Sequence, residues 1–474
     1  MKAGCARALV LVCAVAVLVA CAREPAPTST DHVAEPWPAR PVVTLAFTVA
    51  PDLGTADGRE TVDFTPDLPV CSLVFRAWPN TPTMSGSGTS LTVTDVAVDG
   101  RPTTPQVVAD GAPAGAPGTL IEIPLTTCLN PGQTVTAELG FRLTLGADAD
   151  ERIGFSPGSR TAWFGSGYPL LAWVRGRGWA RDPAVPINGE SATSEDFALR
   201  ELSVTAPSDL QVMGTGVSVG DPAAGPGGMS THRFTAEAVR DVAVAVGRYD
   251  ILDRDLGGVR LHLATPQNGT RTDAERWARQ IGDAITGLTR LFGPFPYPEL
   301  WVTITPGQSD GTEFPAAVQF GDIRPRQLPA LVAHELSHQW FYALVGNNQA
   351  TDPWLDESLA TFGEALVGGD GNDFKLDDPA QSAGGEMGRS MSYWAANGGF
   401  TSYTDHVYND GAAVLLEARR RVGSDRFDSA LRSYLAGNAH RVATPDDFGR
   451  AFRDLPEVID LLTRAGALPA GSTY

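Results

Sequence analysis

Between Leu331 and Glu364 the chain reads LVAHELSHQWFYALVGNNQATDPWLDESLATFGE. Two histidines, His334 and His338, lie four positions apart with Glu335 between them. On a helix, residues four apart project from one face a turn apart, so both imidazoles can reach one ion and Glu335 stands beside it. Imidazole nitrogen suits Zn²⁺, and a catalytic zinc takes three protein ligands and keeps a fourth place for water. The third ligand has to come from elsewhere, and Glu357 is the candidate. Eighteen residues separate it from His338, enough to finish one helix, turn and begin another. Pro329–Leu344 has no interior Gly or Pro and reads as helical throughout. Asp352-Pro353-Trp354 then supplies an N-cap and a proline at the first helical position where Glu357 needs a helix start.

H-E-x-x-H followed after eighteen residues by the Glu of Trp354-Leu355-Asp356-Glu357-Ser358 is the gluzincin pattern. In these residues the chain resembles the M1 family of zinc metallopeptidases, the aminopeptidase N and leukotriene A4 hydrolase group, which usually has W-L-N-E-G here. The resemblance implies peptide-bond hydrolysis with one Zn²⁺ on His334, His338 and Glu357, and Glu335 as the base. The family's G-x-M-E-N motif, whose Glu binds the substrate's free amino group, corresponds to Asp310-Gly311-Thr312-Glu313-Phe314. Only Glu313 and a neighbouring Gly match, and a solvated loop carboxylate is the alternative for Glu313. The family's Tyr-x-x-Gly, whose Tyr donates to the tetrahedral oxyanion, matches Tyr408 and Gly411. Tyr403, five residues earlier, is a candidate for positioning substrate. Asp356 and Glu364 are candidates for orienting the ligand imidazoles, with an exposed helix charge as the alternative for Glu364. His232, His262, His406 and His440 lack metal spacing and read as structural or surface residues.

The elements that must carry these residues fall into two halves. Residues 41–250 read as an N-terminal β domain, with short runs such as Val42–Val49, Ser72–Ala77, Leu91–Val98, Thr119–Ile123, Thr134–Leu145, Ala198–Ala206 and Val242–Tyr249 divided by Gly, Pro, Asp and Asn. An antiparallel β-sandwich or open saddle is expected. Three phrases here also resemble the family's N-terminal domain: Leu73–Asn80, Pro207–Gly216 and Arg240–Gly247. Residues 251–474 read as a mostly helical, thermolysin-like catalytic domain, so the fold class is multidomain α+β. Thr272–Phe292 is an amphipathic helix, and Gly293–Pro298 turns the chain into a strand, Leu300–Thr305. The run Ala316–Phe320 is expected to pair with an extended substrate backbone. Beyond the zinc segment, helices are expected at Gly411–Val422, Asp425–Leu435 and Pro445–Phe452, the last begun by a Thr444-x-x-Asp447 capping box. Larger family members carry an extra helical C-terminal domain. It is expected to be absent, leaving a more open cleft.

Composition bounds the setting. Residues 1–20 have a basic start and an apolar run, Ala8–Ala20, too short for a membrane span, and read as an export signal. Leu18-Val19-Ala20-Cys21 resembles a bacterial lipobox, which implies a lipid on Cys21 and anchorage to the outer face of the cell membrane. An ordinary signal cleaved nearby is the alternative. Residues 21–40, rich in proline, read as an extended tether. Loss of residues 1–20 removes Lys2 and Arg7 and takes the net charge from −19 to −21. That balance argues against nucleic acid as a partner. Only Cys71 and Cys128 lie beyond Cys21; one disulfide between them is expected in an exported body, with two buried thiols as the alternative.

Three functions therefore compete. One is an exported, lipid-anchored aminopeptidase acting on peptides. The second is an endopeptidase or narrow-specificity peptidase, if Glu313 binds no amine. The third is an inactive surface binding protein on the same fold.

Overall fold

The computed structural model describes residue 1 and residues 33–188, 193–369, 385–472 and 474. The export signal, Cys21 and most of the tether lie outside the described residues. The end of the tether does not behave as a free linker. Trp37 packs against the β core, Ala34 N donates to Ala436 O at 2.9 Å, and the Arg40 side chain donates to Glu237 O at 3.1 Å.

The N-terminal half is built from strands whose apolar residues alternate, as a half-buried sheet requires. In Val42–Val49, Val43, Leu45, Phe47 and Val49 all turn into the core. This strand pairs antiparallel with Thr55–Phe64 and, less expectedly, parallel with Phe197–Pro207. Around them runs a large sheet that also holds Val135–Thr144, Ser90–Val98 and Met229–Val239. Two smaller sheets pack with it. One orders Gln211–Gly214, Ala243–Gly247, Thr161–Gly165 and Ile153–Ser156; the other contains Val70–Arg76 and Leu120–Leu129. Phe47, Phe64, Phe141, Trp163, Phe164 and Trp173 form the shared core. Cys71 and Cys128 are joined as a disulfide across the paired strands Val70–Arg76 and Leu120–Leu129.

The expected single run Val242–Tyr249 is two strands. Ala243–Gly247 belongs to the β half, and Tyr249–Asp255 starts the sheet of the second half. That second sheet runs Tyr249–Asp255, Arg260–Pro266, Glu299–Thr305, Ala317–Gly321 and, at its edge, Gly311–Phe314. Helices cover it. Ala274–Phe292 lays Trp277, Ile281, Ile285 and Leu288 on the core, and Asp273 caps it by accepting from Arg276 N at 2.8 Å. The capping box of Thr444 and Asp447 opens Pro445–Ala451 as read from the sequence.

The halves share buried side chains. Trp301 and Phe314, from the second sheet, sit in the β core, and the Trp301 indole donates to Gly216 O at 2.8 Å. Arg240 is almost fully buried between the halves, paired to Asp196 at 2.6 Å and donating to Ala343 O at 3.2 Å. This arrangement, a multi-sheet β domain followed by a mostly helical part, is the fold class expected.

Candidate active site

The helix Leu328–Ser337 carries His334 and Glu335 and ends with His338 as its C-cap residue. It does not run on to Leu344. Gln339 leaves the helix and clamps a strand instead: its Nε2 donates to Phe314 O and its Oε1 accepts from Ala316 N, both at 3.0 Å. Tyr342 then takes a left-handed φ of 104°, held by its hydroxyl donating to Asp241 at 3.2 Å. A bulky residue in that region costs free energy unless its surroundings fix it. The gain is rigid registration of the zinc-motif helix against both the edge strand and the β domain.

Glu357 comes from the helix Trp354–Val367. The two helices approach closely at Gly363, where a Cβ would sit 2.2 Å from Ser337 Oγ. Glu357 Oε2 thereby lies 3.3 Å from His334 Nε2 and 3.5 Å from His338 Nε2, and the two Nε2 atoms are 3.3 Å apart.

This triangle fits zinc on two independent grounds. An ion at about 2.0–2.1 Å from tetrahedral ligands spaces those ligands roughly 3.3–3.4 Å apart. The second ground is protonation. His338 Nδ1 is bonded to Asp356 at 2.7 Å and His334 Nδ1 to Glu364 at 3.0 Å. With both Nδ1 atoms donating to carboxylates, each Nε2 presents a lone pair. Two lone pairs 3.3 Å apart repel unless a cation lies between them.

Burial would raise the Glu357 carboxyl, but His338 and His334 outweigh it and hold it well below the usual range. Before an ion binds, burial opposes the charged form of His334, yet its bonds to Glu357 and Glu364 hold it up at about 10, so metal binding has to displace the Nε2 proton. Glu335 is pushed up to about 8, chiefly by burial, with His334 opposing and Glu313 adding like charge. Its Oε2 is buried with no hydrogen-bond partner among the described residues. A Cβ at Gly311 would meet Glu335 Oε1 at 2.5 Å, so glycine there leaves room for this side chain.

Glu313 sits on the edge strand Gly311–Phe314, is 6% exposed, and has a buried Oε1 with no hydrogen-bond partner among the described residues. It is no solvated loop carboxylate. The run expected to receive substrate, Ala316–Phe320, is in fact interior: Ala317–Gly321 pairs with Glu299–Thr305 on one side and Gly311–Phe314 on the other. The free edge belongs to Gly311–Phe314, because that strand closes the sheet.

Tyr408 lies on a π-helical turn, Thr404–Asn409, which leads into the helix Asp410–Val422. Ser358 Oγ donates to Val407 O at 2.6 Å and ties this turn to the Glu357 helix. The Tyr408 ring stacks on His334, centroids 5.7 Å apart. Burial, then the nearby Glu357 carboxylate, push its hydroxyl well above the usual range, so it stays a donor. Tyr403 does not line the cavity. It closes the helical turn Gly399–Tyr403, is fully buried, and lies edge-on to the Tyr408 ring at 5.4 Å.

Of the four histidines set aside from the metal, His232 is half-buried on Met229–Val239 and the other three have structural partners. His262 stacks on Trp301, His406 bonds Asp410, and His440 bonds Asp196. The site faces a cavity of about 730 Å³ lined by both halves, with Glu313, Glu335, His334 and Tyr408 on one side. Its walls include Asp150, Glu151 and Arg152 from the β half, and Asp310 and Phe400. None of these was singled out from the sequence. Lying as far as some 180 residues before the motif, the first three carry no local signal for it.

Aminopeptidase M1-D of Oryza sativa subsp. japonica is 26% identical over 286 residues, 52% of this chain and 31% of the rice protein. Glutamyl aminopeptidase of Bos taurus is 27% identical over 206 residues, 40% of this chain and 20% of the bovine one. The chain thus spans about a third or less of the length of these relatives. The M1 zinc metallopeptidase of Deinococcus radiodurans superposes with a TM-score of 0.62 at 19% identity, covering 91% of this chain and 94% of that one. A mutant of it bound to a Tyr-Ser-Ala substrate gives 0.61 at 18% identity, over 91% and 95% of the two chains. Residues 322–463, which span the zinc motif, Glu357 and Tyr408, match the Peptidase family M1 domain. Residues 322–463 thus match an M1 peptidase domain, and the chain has the fold of the M1 zinc metallopeptidases.

Proposed function

We propose that this protein is a zinc aminopeptidase that releases N-terminal residues from peptides outside the cytoplasm. The observation that carries this is the convergence of His334, His338 and Glu357 on one point, beside two buried, unpartnered carboxylates, Glu335 and Glu313. When bound, zinc lowers the pKa of a water toward about 7 and polarises the scissile carbonyl.

The chain's own groups do the rest. Glu335, beside the metal position, takes a proton from the attacking water and returns it to the leaving amine. Tyr408, kept protonated, donates a hydrogen bond where negative charge develops on the carbonyl oxygen. Glu313, on the free sheet edge, pairs with the substrate's ammonium group and so fixes which bond lies over Glu335. The outer edge of Gly311–Glu313 can pair with an extended peptide, Phe314 O being taken by Gln339. Asp356 and Glu364 hold the imidazoles in one tautomer.

Peptides with free and with acetylated N-termini separate the possibilities. An aminopeptidase cuts only the free form. Equal cutting of both points to an endopeptidase, and no cutting of either to the binding protein. Glu335→Gln should keep zinc and lose turnover.

The same proposal places the protein on the outer face of the membrane through a lipid on Cys21. The signal-like segment and the lipobox-like Leu18–Cys21 support it, and no helix among the described residues is long and apolar enough to cross a membrane. Cys21→Ser should release the protein into the medium; retention in the membrane fraction would count against the anchor.

A further inference from the structure

Gln339 directly follows His338 and is fully buried. Its side-chain amide makes two bonds, and both go to one turn. Nε2 donates to Phe314 O and Oε1 accepts from Ala316 N, each at 3.0 Å. Phe314 and Ala317 face each other across the hairpin, so Pro315 and Ala316 alone join Gly311–Phe314 to Ala317–Gly321. Ala316 takes a left-handed φ of 57°. Glycine is the ordinary residue in that conformation, and an alanine loses about 1–2 kcal/mol by adopting it. Such a turn persists only where its surroundings impose it. Trp301 N, donating to Ala316 O at 3.0 Å, holds it from the sheet, and Gln339 holds it from the end of the zinc-motif helix.

The clamped turn is next to Glu313. From the Glu313 backbone to His338 the path runs only through Phe314, the amide bond and Gln339. The Phe314 ring is fixed as well, since it presses on Gly165 of the β half and leaves no room there for a Cβ. Glu313 Oε1 has no hydrogen-bond partner among the described residues, so the main chain of the strand, more than any bond to Oε1, sets where this carboxylate lies. One ligand atom each of Glu313, Glu335 and His338 lie within 4.8 Å of one another. In a peptide the first carbonyl carbon is two covalent bonds from the amine. A displaced Glu313 would therefore carry the scissile carbonyl off Glu335 by a similar distance, and about 1 Å of misplacement costs roughly 100-fold in rate.

We infer that Gln339 is a positioning residue for the amine end of the substrate. By clamping the Pro315–Ala316 turn to the zinc-motif helix it fixes the Glu313 carboxylate against the metal position, and so confines cleavage to the first peptide bond. It acts through the strand, both of its amide atoms being taken by main chain. This inference rests on the aminopeptidase proposal and names a residue that sets its specificity.

The test measures, by calorimetry on the zinc-loaded full chain, the binding of leucinamide and of its des-amino analogue 4-methylpentanamide. Wild type should bind leucinamide about 10- to 100-fold more tightly, the range of a charge-assisted bond. Gln339→Met, similar in length but without the amide, should reduce that preference about tenfold and leave one zinc per chain. Adding Ala316→Gly, which accepts the left-handed φ without strain, should restore part of it. With a free peptide, Gln339→Met should lower kcat/KM about 10- to 100-fold and release N-terminal dipeptide beside the single residue. A wild-type preference that Gln339→Met keeps in full overturns the inference alone. So does an equal loss of affinity for both amides, or a loss that Ala316→Gly leaves untouched. No preference in the wild type overturns it together with the aminopeptidase reading. Should Gln339→Met fail to fold, Gln339→Asn, one methylene too short to reach both backbone groups, is read in the same way.

Discussion

Removing the carboxylate behind His338 should weaken zinc binding more than it weakens the fold. Asp356 is fully buried; its Oδ1 bonds His338 Nδ1 at 2.7 Å and its Oδ2 accepts from Gln349 Nε2 at 3.1 Å. Asparagine keeps the volume and a carbonyl that can accept from His338, so Asp356→Asn removes mainly the charge. Alanine removes charge and orientation together. A hydrogen bond to a charged group contributes about 1.5–3 kcal/mol, which corresponds to roughly 10- to 150-fold in an equilibrium constant. Loss of a carboxylate behind a metal-bound imidazole costs typically 10- to 100-fold in affinity. We therefore expect zinc to bind about 10-fold more weakly to Asp356→Asn and about 100-fold more weakly to Asp356→Ala. Glu364→Gln should lie below both, near 3-fold, because its bond is longer, 3.0 Å, and its side chain is 19% exposed. Titration of the metal-free proteins against a chromophoric chelator gives the dissociation constants, and circular dichroism checks that each variant is folded. Affinities within threefold of wild type for both Asp356 variants would show that this bond does not tune the site.

Tyr408→Phe should lower kcat by about 100- to 1000-fold with KM little changed, as loss of an oxyanion donor does; a change confined to KM would remove Tyr408 from that role. Gly311→Ala should lower kcat, because its Cβ would displace the Glu335 carboxyl 2.5 Å away, with zinc content unchanged; full activity would show that Glu335 has room to move. Glu60 is buried in the β core with Oε2 unpartnered, and burial raises its pKa well above 4.5. The folded state then binds a proton that the unfolded state has lost, so stability falls as pH rises above about 4.5. Glu60→Gln should therefore melt near the wild-type Tm at pH 4 and progressively above it toward pH 8; a gap independent of pH would refute this. Reduction of Cys71–Cys128, which closes a loop of 57 residues, should cost about 4 kcal/mol in a denaturant titration if chain entropy dominates. No change in the midpoint would exclude that.

The chemistry was legible in the sequence where it is local. His334 and His338 are set by helix periodicity, and the next helix start placed Glu357, so three candidate ligands that the fold brings together could be named without it. Asp356 and Glu364 follow from the same two helices. What could not be read depends on partners distant in the chain. Nothing in Gln339–Leu344 signals that the helix stops, because it is ended by bonds to Phe314, Ala316 and Asp241. Whether Ala317–Gly321 or Gly311–Phe314 is the sheet edge depends on strand order, which alternation does not encode. The strand Thr55–Phe64 escaped notice because Gly58 and Glu60 occupy inward positions: Gly58 lies under the Phe141 ring, and Glu60 breaks the apolar pattern. Tyr403 was misplaced because a π turn shifts the helical phase between it and Tyr408.

The account stands or falls on the metal. Protein stripped with a chelator and dialysed should contain no zinc and cut no peptide. It should take up one zinc per chain and recover activity in proportion to the zinc bound, whereas His338→Ala should neither bind tightly nor recover. Peptide cleavage that persists undiminished in the metal-free protein, or a folded chain that takes up no zinc, would contradict it.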